Sequence, residues 1–408
     1  MISSTKIKSN TPKYTYNDLT IVPAVISDIN SRSECNPMYD EVYGNRLPIF
    51  TAPMSTIINE ENELLFEKYG INTIYPRNIG VDIDDKSKRN GKLADLLIAQ
   101  MTKKTNAWIA LSLQEFKDIF VDDKYHIQSM MVNGTYRICI DLANGHMRDI
   151  YEQINQAKYI ADKERYTLII MTGNIANPQT YKWIAQNSNV DYIRVGIGSG
   201  SNCITSSNTG VHYPMASLIK DCAYERANLL DSGDFTNLPF IVADGGIRNY
   251  SDVVKAIALG ADYAMIGGLF TSLLESAANI TGVERVGGYL FNVSPNKLCI
   301  NGKEINCWDI NTTEEDKREA INRYVLNKES YGMSTKKAQK LFGGNATKTS
   351  EGCYKKVEVK YTLKQWTDNL ISYLKSAMSY TDSKDLSQFK SKPQFVVNTP
   401  NAINAVNK

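Results

Sequence analysis

The chain has 408 residues, enough for one large α/β domain or two smaller ones, with 42% hydrophobic and 22% charged residues. Its 46 basic and 44 acidic residues leave a formal charge of +2, so no global field selects a nucleic acid or an acidic membrane surface. No run reaches the roughly 18 apolar residues of a membrane span, and Met1-Ile2-Ser3-Ser4-Thr5-Lys6 lacks the apolar core of a secretion signal. Seven scattered cysteines without a C-x-x-C pair point to reduced thiols in a cytoplasmic protein, and three histidines are too few for a His-rich metal site.

Tyr14-Thr15-Tyr16-Asn17-Asp18-Leu19 opens a non-repetitive arm that runs past Ser31-Arg32-Ser33-Glu34. Short β-branched runs then alternate with helical patterns, which predicts a parallel sheet built from βα units. Strands are expected near 47–53, 71–75, 107–112, 136–142, 167–172, 191–196, 239–243 and 262–266. Helices are expected at 59–69, 92–104, 147–163, 177–187, 213–230 and 249–260. In the third of these, Ile150, Ile154, Ala157 and Ile160 recur at helical spacing and form a core-facing stripe. Eight strands in series predict a closed (β/α)₈ TIM barrel spanning 1–408 as a single domain. After strand 8 the rhythm breaks, and 276–330 reads as an inserted flap-like excursion. It holds strand-like pieces around the hairpin signal Asn301-Gly302 and a charged helix over 313–327. A helix over 362–379 should close the barrel, and the polar tail after 390 should be extended.

Several strands run straight into small or polar residues. Strand 1 ends in Ala52-Pro53-Met54, strand 4 in Asp141-Leu142-Ala143-Asn144-Gly145, and strand 5 in Gly173-Asn174. Strand 6 enters Gly196-Ile197-Gly198-Ser199-Gly200-Ser201-Asn202-Cys203-Ile204-Thr205, strand 7 enters Asp244-Gly245-Gly246, and strand 8 enters Gly267-Gly268. In a (β/α)₈ barrel these ends share one face, where active sites are built and where phosphate sits on the loops after strands 7 and 8. A glycine loop lets the backbone approach a ligand and turns amides or carbonyls toward it. A thiol delivered from that loop can act as a nucleophile on whatever the loop binds.

These motifs resemble the inosine-5′-monophosphate dehydrogenase and guanosine-5′-monophosphate reductase family, over about residues 14–390. The resemblance implies that Cys203 is the nucleophile and that Ser201 contacts the nucleotide. It implies that Asp244 binds ribose hydroxyls while Gly245, Gly246, Gly267 and Gly268 bind phosphate. Tyr331, Gly332, Met333 and Ser334 should hold phosphate and the purine edge, with Lys348 and Ser350 as further substrate contacts. Ser31, Arg32, Arg77, Asp141, Ala143 and Asn144 are the implied dinucleotide contacts. It further implies a homotetramer, and K⁺ held by backbone carbonyls of Gly198, Gly200, Cys203 and Ser206, the last standing where the family commonly has arginine.

Within the family, four features lean toward the reductase. The connection between strands 2 and 3 has no room for paired CBS modules. Ala143-Asn144-Gly145 replaces the dehydrogenases' usual Ala-His-Gly. Ser31-Arg32-Ser33-Glu34 and Thr209-Gly210-Val211-His212-Tyr213-Pro214 look like reductase segments, and so does Thr349-Ser350-Glu351-Gly352. The implied reaction is NADPH-dependent reductive deamination of GMP to IMP, with Thr205 and Glu351 relaying the proton. Two alternatives remain open on sequence: an IMP dehydrogenase without CBS modules, and an inactive barrel that only binds purine nucleotide. Arg323-Tyr324 resembles the dehydrogenases' water-activating pair but falls in the excursion, and reads as a helix-surface pair.

Overall fold

The computed structural model describes residues 11–41, 44–81, 87–200, 203–235, 237–284, 290–293, 297–300, 303–331, 335 and 352–406. Eight parallel strands follow one another in chain order around a barrel. They are β1 (Ile49–Thr51), β2 (Ile74–Tyr75), β3 (Trp108–Leu111), β4 (Thr135–Ile140), β5 (Thr167–Ile175), β6 (Tyr192–Val195), β7 (Phe240–Asp244) and β8 (Tyr263–Ile266). β8 pairs with β1 through Ala264–Ile49, Met265–Phe50 and Ile266–Thr51. The last seam closes on a single bridge, Phe50 to Asn72, with Thr51 donating to the Asn72 carbonyl at 2.9 Å. All eight expected strands are present, and β2 is shorter than its apolar run because Asn72 bonds to β1 and the Ile71 amide to the Phe66 carbonyl.

At the N-terminal mouth, Trp108, Tyr192, Phe240 and Tyr263 each open their strand, and Phe50 joins them. Their rings close the barrel floor, with Phe50–Tyr263 centroids at 4.9 Å and Trp108–Tyr192 and Tyr192–Phe240 at 5.0 Å. Such pairs add to the apolar area that they bury. The floor is therefore packed, and the opposite face carries the polar ends.

The helices follow the pattern with small shifts: α1 (Glu63–Lys68), α2 (Ser87–Met101), α3 (Leu113–Phe120), α4 (Arg148–Lys163), α5 (Pro178–Asn187), α6 (Thr205–Thr209), α7 (Met215–Asp231), α8 (Tyr250–Ala258) and α9 (Gly268–Thr271). On α4 the buried stripe runs Ile150, Ile154, Ala157 and Ala161, leaving Ile160 at its margin. Each isoleucine so buried contributes about 1.5–3 kcal/mol of transfer free energy. The sequence reading overlooked α3, although Ser112 and Glu115 start it with a reciprocal capping box.

The excursion folds as strands around one helix. β9 (Ile280–Glu284), β10 (Leu290–Val293), β13 (Tyr324–Tyr331) and β14 (Tyr354–Glu358) form one antiparallel sheet. β11 (Lys297–Ile300) and β12 (Lys303–Asn306) form the expected hairpin. Helix α10 spans Glu314–Arg323, shorter than expected, because residues 324–331 alternate buried and half-buried positions and extend as β13. Tyr324 is buried and donates to the Cys299 carbonyl at 2.6 Å, so Arg323-Tyr324 is not a surface pair. Helix α11 (Leu363–Tyr380) closes the barrel, with Trp366 stacked edge-on against Phe270. The tail is structured: Gln394–Val397 pairs antiparallel with the arm strand Leu19–Val22, and a helix covers Pro400–Val406.

Candidate active site

The strand-end face holds a cavity of about 360 Å³, lined by residues from six of the eight loops. Cys203 and Thr205 reach it from the strand 6 loop, Asp141 and Ala143 from strand 4, Asp244 and Gly245 from strand 7. Arg77 follows β2, and its Nη1 donates to the Asp141 carbonyl at 3.4 Å. The cavity thus joins sequence positions as far apart as Ala52 and Gly245.

The glycines do specific steric work here. Gly196 has φ of +128°, and a Cβ on it would overlap the carbonyl oxygen of Asp244. Gly245, at φ of +106°, backs onto the amide of Gly200 with room for no side chain. These contacts let the strand 6 and strand 7 loops nest. The Gly246 amide, expected to face phosphate, instead donates to the Ser199 carbonyl at 2.8 Å and stitches those loops together. Gly267 and Gly268 open the short α9, with Gly267 against Met54, a cavity residue.

Cys203 is half-buried, and its thiol donates to Thr205 Oγ1 at 3.2 Å. Its backbone forms an isolated antiparallel bridge with Gly352. The segment after the excursion therefore returns to the strand 6 loop at Gly352, the residue that follows the expected Glu351 in sequence. Ser206 Oγ donates to the Gly198 carbonyl at 2.8 Å, and the Gly200 carbonyl accepts from the Cys203 amide at 3.0 Å.

Two residues that the sequence reading did not assign dominate the electrostatics. Arg194, inside β6, is buried between Asp141 and Asp244, which it pairs at 2.7 and 2.8 Å. Burial works against its charge, but the carboxylates of Asp244 and Asp141 outweigh that and hold its pKa well above the ordinary value. The neighbouring Cys139 thiol is pushed up to about 12 by burial, so it stays protonated. Asn174 Nδ2 donates to Asp244 Oδ2 and to the Gly196 carbonyl, both at 2.7 Å. A lone arginine within the apolar run 191–196 was the available signal, since a buried charge in a parallel strand needs partners.

The structure does not bring Ser31 and Arg32 to the cavity. They sit on an exposed turn, where Ser31 caps Ser33 and the segment packs near α11. Asn144 turns away as well, its Oδ1 accepting from the His146 amide at 3.0 Å. Tyr331 ends β13, paired with Tyr354. Ser201, Gly332, Met333, Ser334, Lys348, Ser350 and Glu351 lie outside the described residues.

An eight-stranded barrel with a thiol on its glycine loop and an aspartate after strand 7 defines a class. The chain belongs to the IMP dehydrogenase / GMP reductase family, whose domain model matches residues 13–289. Among named relatives it is 30% identical to a GMP reductase of Streptococcus suis over 278 residues, 68% of this chain and 75% of that protein. It is 29% identical to a GMP reductase of Mesoplasma florum over 276 residues, 67% of this chain and 77% of that one. With a GMP reductase of Caenorhabditis elegans the identity is 28% over 261 residues, 64% of this chain and 58% of the relative. No helix among the described residues is long and apolar enough to cross a membrane.

Proposed function

We propose that this chain is a GMP reductase, converting GMP to IMP and ammonia at the expense of NADPH. The carrying observation is the Cys203–Thr205 pair at 3.2 Å, set in the cavity with Asp244 and bridged through the Cys203 backbone to Gly352. The Cys203 sulfur, as thiolate, attacks C2 of the guanine ring, forming a C–S bond. Thr205, backed by Glu351, delivers the proton that turns the 2-amino group into departing ammonia. A thioimidate remains on Cys203. The reduced nicotinamide, when bound, supplies a hydride to C2, and the C–S bond then breaks with its electrons returning to sulfur. Asp244 orients the ribose, and Arg77 and Asp141 face the dinucleotide.

Carbonyls of Gly198, Gly200, Cys203 and Ser206 form an oxygen-only donor set suited to K⁺. Those of Gly198, Gly200 and Ser206 already accept one hydrogen bond each, which leaves each a second lone pair. A cation there would hold the loop that carries Cys203. The dehydrogenase alternative is disfavoured because Tyr324 is buried and committed to the Cys299 carbonyl. A homotetramer in the cytoplasm completes the reading, and sedimentation of the purified chain checks the assembly.

The deciding assay mixes protein with GMP and NADPH, and separately with IMP and NAD⁺, while following nicotinamide absorbance and the purine products. Reductase activity consumes NADPH and yields IMP in the first mixture. Turnover in the second mixture alone would overturn the assignment.

A further inference from the structure

The chemistry of Cys203 does not require the two strand-end carboxylates to be tied together, yet one side chain ties them. Arg194 Nε and Nη2 donate to the same oxygen of Asp244, Oδ2, at 3.0 and 2.8 Å. Its Nη1 donates to Asp141 Oδ1 at 2.7 Å. Asn174 adds a third hydrogen to Asp244 Oδ2 at 2.7 Å. Among the described residues no protein donor is assigned to the second oxygen of either aspartate, and the buried Asn174 Oδ1 has none either. All four residues line the cavity.

Three donated hydrogens on one oxygen restrict the Asp244 carboxylate without freezing it, and leave its other oxygen for a ligand donor. The planar guanidinium fork passes the same restraint to Asp141. The remaining carboxylate oxygens are acceptors only, which favours ligand hydroxyl donors there. We infer that Arg194, assisted by Asn174, is a positioning residue that serves both nucleotide subsites at once, so that binding of one nucleotide prepares the site for the other. The inference rests on the purine-nucleotide reading above. A ligand hydroxyl on one aspartate fixes the shared guanidinium, and the second ligand then meets a site already ordered.

The test uses full-length Cys203→Ala protein, which cannot turn over, titrated calorimetrically with GMP, with NADP⁺, and with each in the presence of the other. Each nucleotide should tighten the other about fivefold or more. Adding Arg194→Lys keeps a cation but removes the fork, and should weaken both nucleotides about tenfold and bring the coupling to unity. In protein with Cys203 intact, Arg194→Lys should raise KM for both substrates and change kcat much less. Asp244→Asn should weaken GMP alone, and Asp141→Asn NADP⁺ alone. Asn174→Ala leaves both ion pairs in place, and its loss of GMP affinity decides the matter if Arg194→Lys does not fold. Absent coupling in the Cys203→Ala protein, retained coupling in Arg194→Lys, or unchanged GMP affinity in Asn174→Ala would each overturn this inference and leave the functional reading standing. Failure of the Cys203→Ala protein to bind GMP at all would overturn both.

Discussion

Two buried ion clusters in this molecule meet the same electrostatic demand differently. In the cavity, Arg194 stands between Asp141 and Asp244, and one oxygen of each aspartate has no protein donor among the described residues. Where the excursion leaves the barrel, Glu275 pairs with Lys317 at 3.2 Å and accepts from the Leu363 amide at 2.7 Å, while Lys328 donates to the carbonyls of Leu274 and Ser276. Glu275, Lys317 and Lys328 are almost wholly buried, and their bonds run to one another or to the backbone. Charge taken from water must be compensated. A cluster that turns inward for that compensation docks one part of a chain onto another. A cluster that leaves valences toward a cavity makes a binding site.

Replacing Cys203, which lines the same cavity as the first cluster, carries the largest expected effect. Cys203→Ala should cut GMP-dependent NADPH consumption by more than about a thousandfold, and calorimetry should still record GMP binding. Breaking the second cluster should be felt in stability instead. Glu275→Leu strands the Lys317 charge, and the denaturant midpoint should fall by the equivalent of about 3–5 kcal/mol. Asp244→Asn, by contrast, should change stability far less than it changes the KM for GMP. Equal effects of these two substitutions on both measurements would erase the contrast drawn above.

The clusters should also differ in pH response. Burial lowers the Lys328 pKa to about 7, against an unfolded value near 10.5. Between those values the unfolded chain holds a proton that the folded chain has released, so stability rises with pH. From pH 7 to 9 the gain should be about 2 kcal/mol, and Lys328→Met should flatten it in urea titrations. The window stops at 9 because burial raises the Cys307 thiol from 9 to about 12, which opposes the trend beyond that point. The smallest effect belongs to Ser206→Ala, which removes one hydroxyl from the Gly198 carbonyl. It should lower stability by about 1 kcal/mol, read as a small drop in melting temperature.

The barrel was legible because its strands are apolar runs that end in Gly, Asp and Asn, and that punctuation survives in a single sequence. Cys203, Thr205, Asp141 and Asp244 were legible for the same reason, Arg77 only through the family resemblance, and one cavity gathers them. Arg194 was not, because it sits inside a run read as strand, between Ile193 and Val195, and only the barrel's closure shows which carboxylates it meets. Asn174 was noticed as a strand end, but its partners lie on neighbouring strands. Helix α3 was missed because eight residues carry little periodicity, even though its cap was plain. The helix expected over 313–327 stopped early since Tyr324, Leu326, Lys328 and Ser330 turn inward with period two, a strand signal hidden by the lysine. Ser31 and Arg32 carried a motif, but the path of the arm keeps them from this cavity.

The arm strand Leu19–Val22 has its ladder partner at Gln394–Val397. A ribosome making this chain therefore exposes the arm long before its mate exists, while the barrel strands emerge beside their neighbours in chain order. Seating the arm therefore waits until residues 394–397 have been made, and cutting the chain before them would leave a row of amides and carbonyls open to foreign edges.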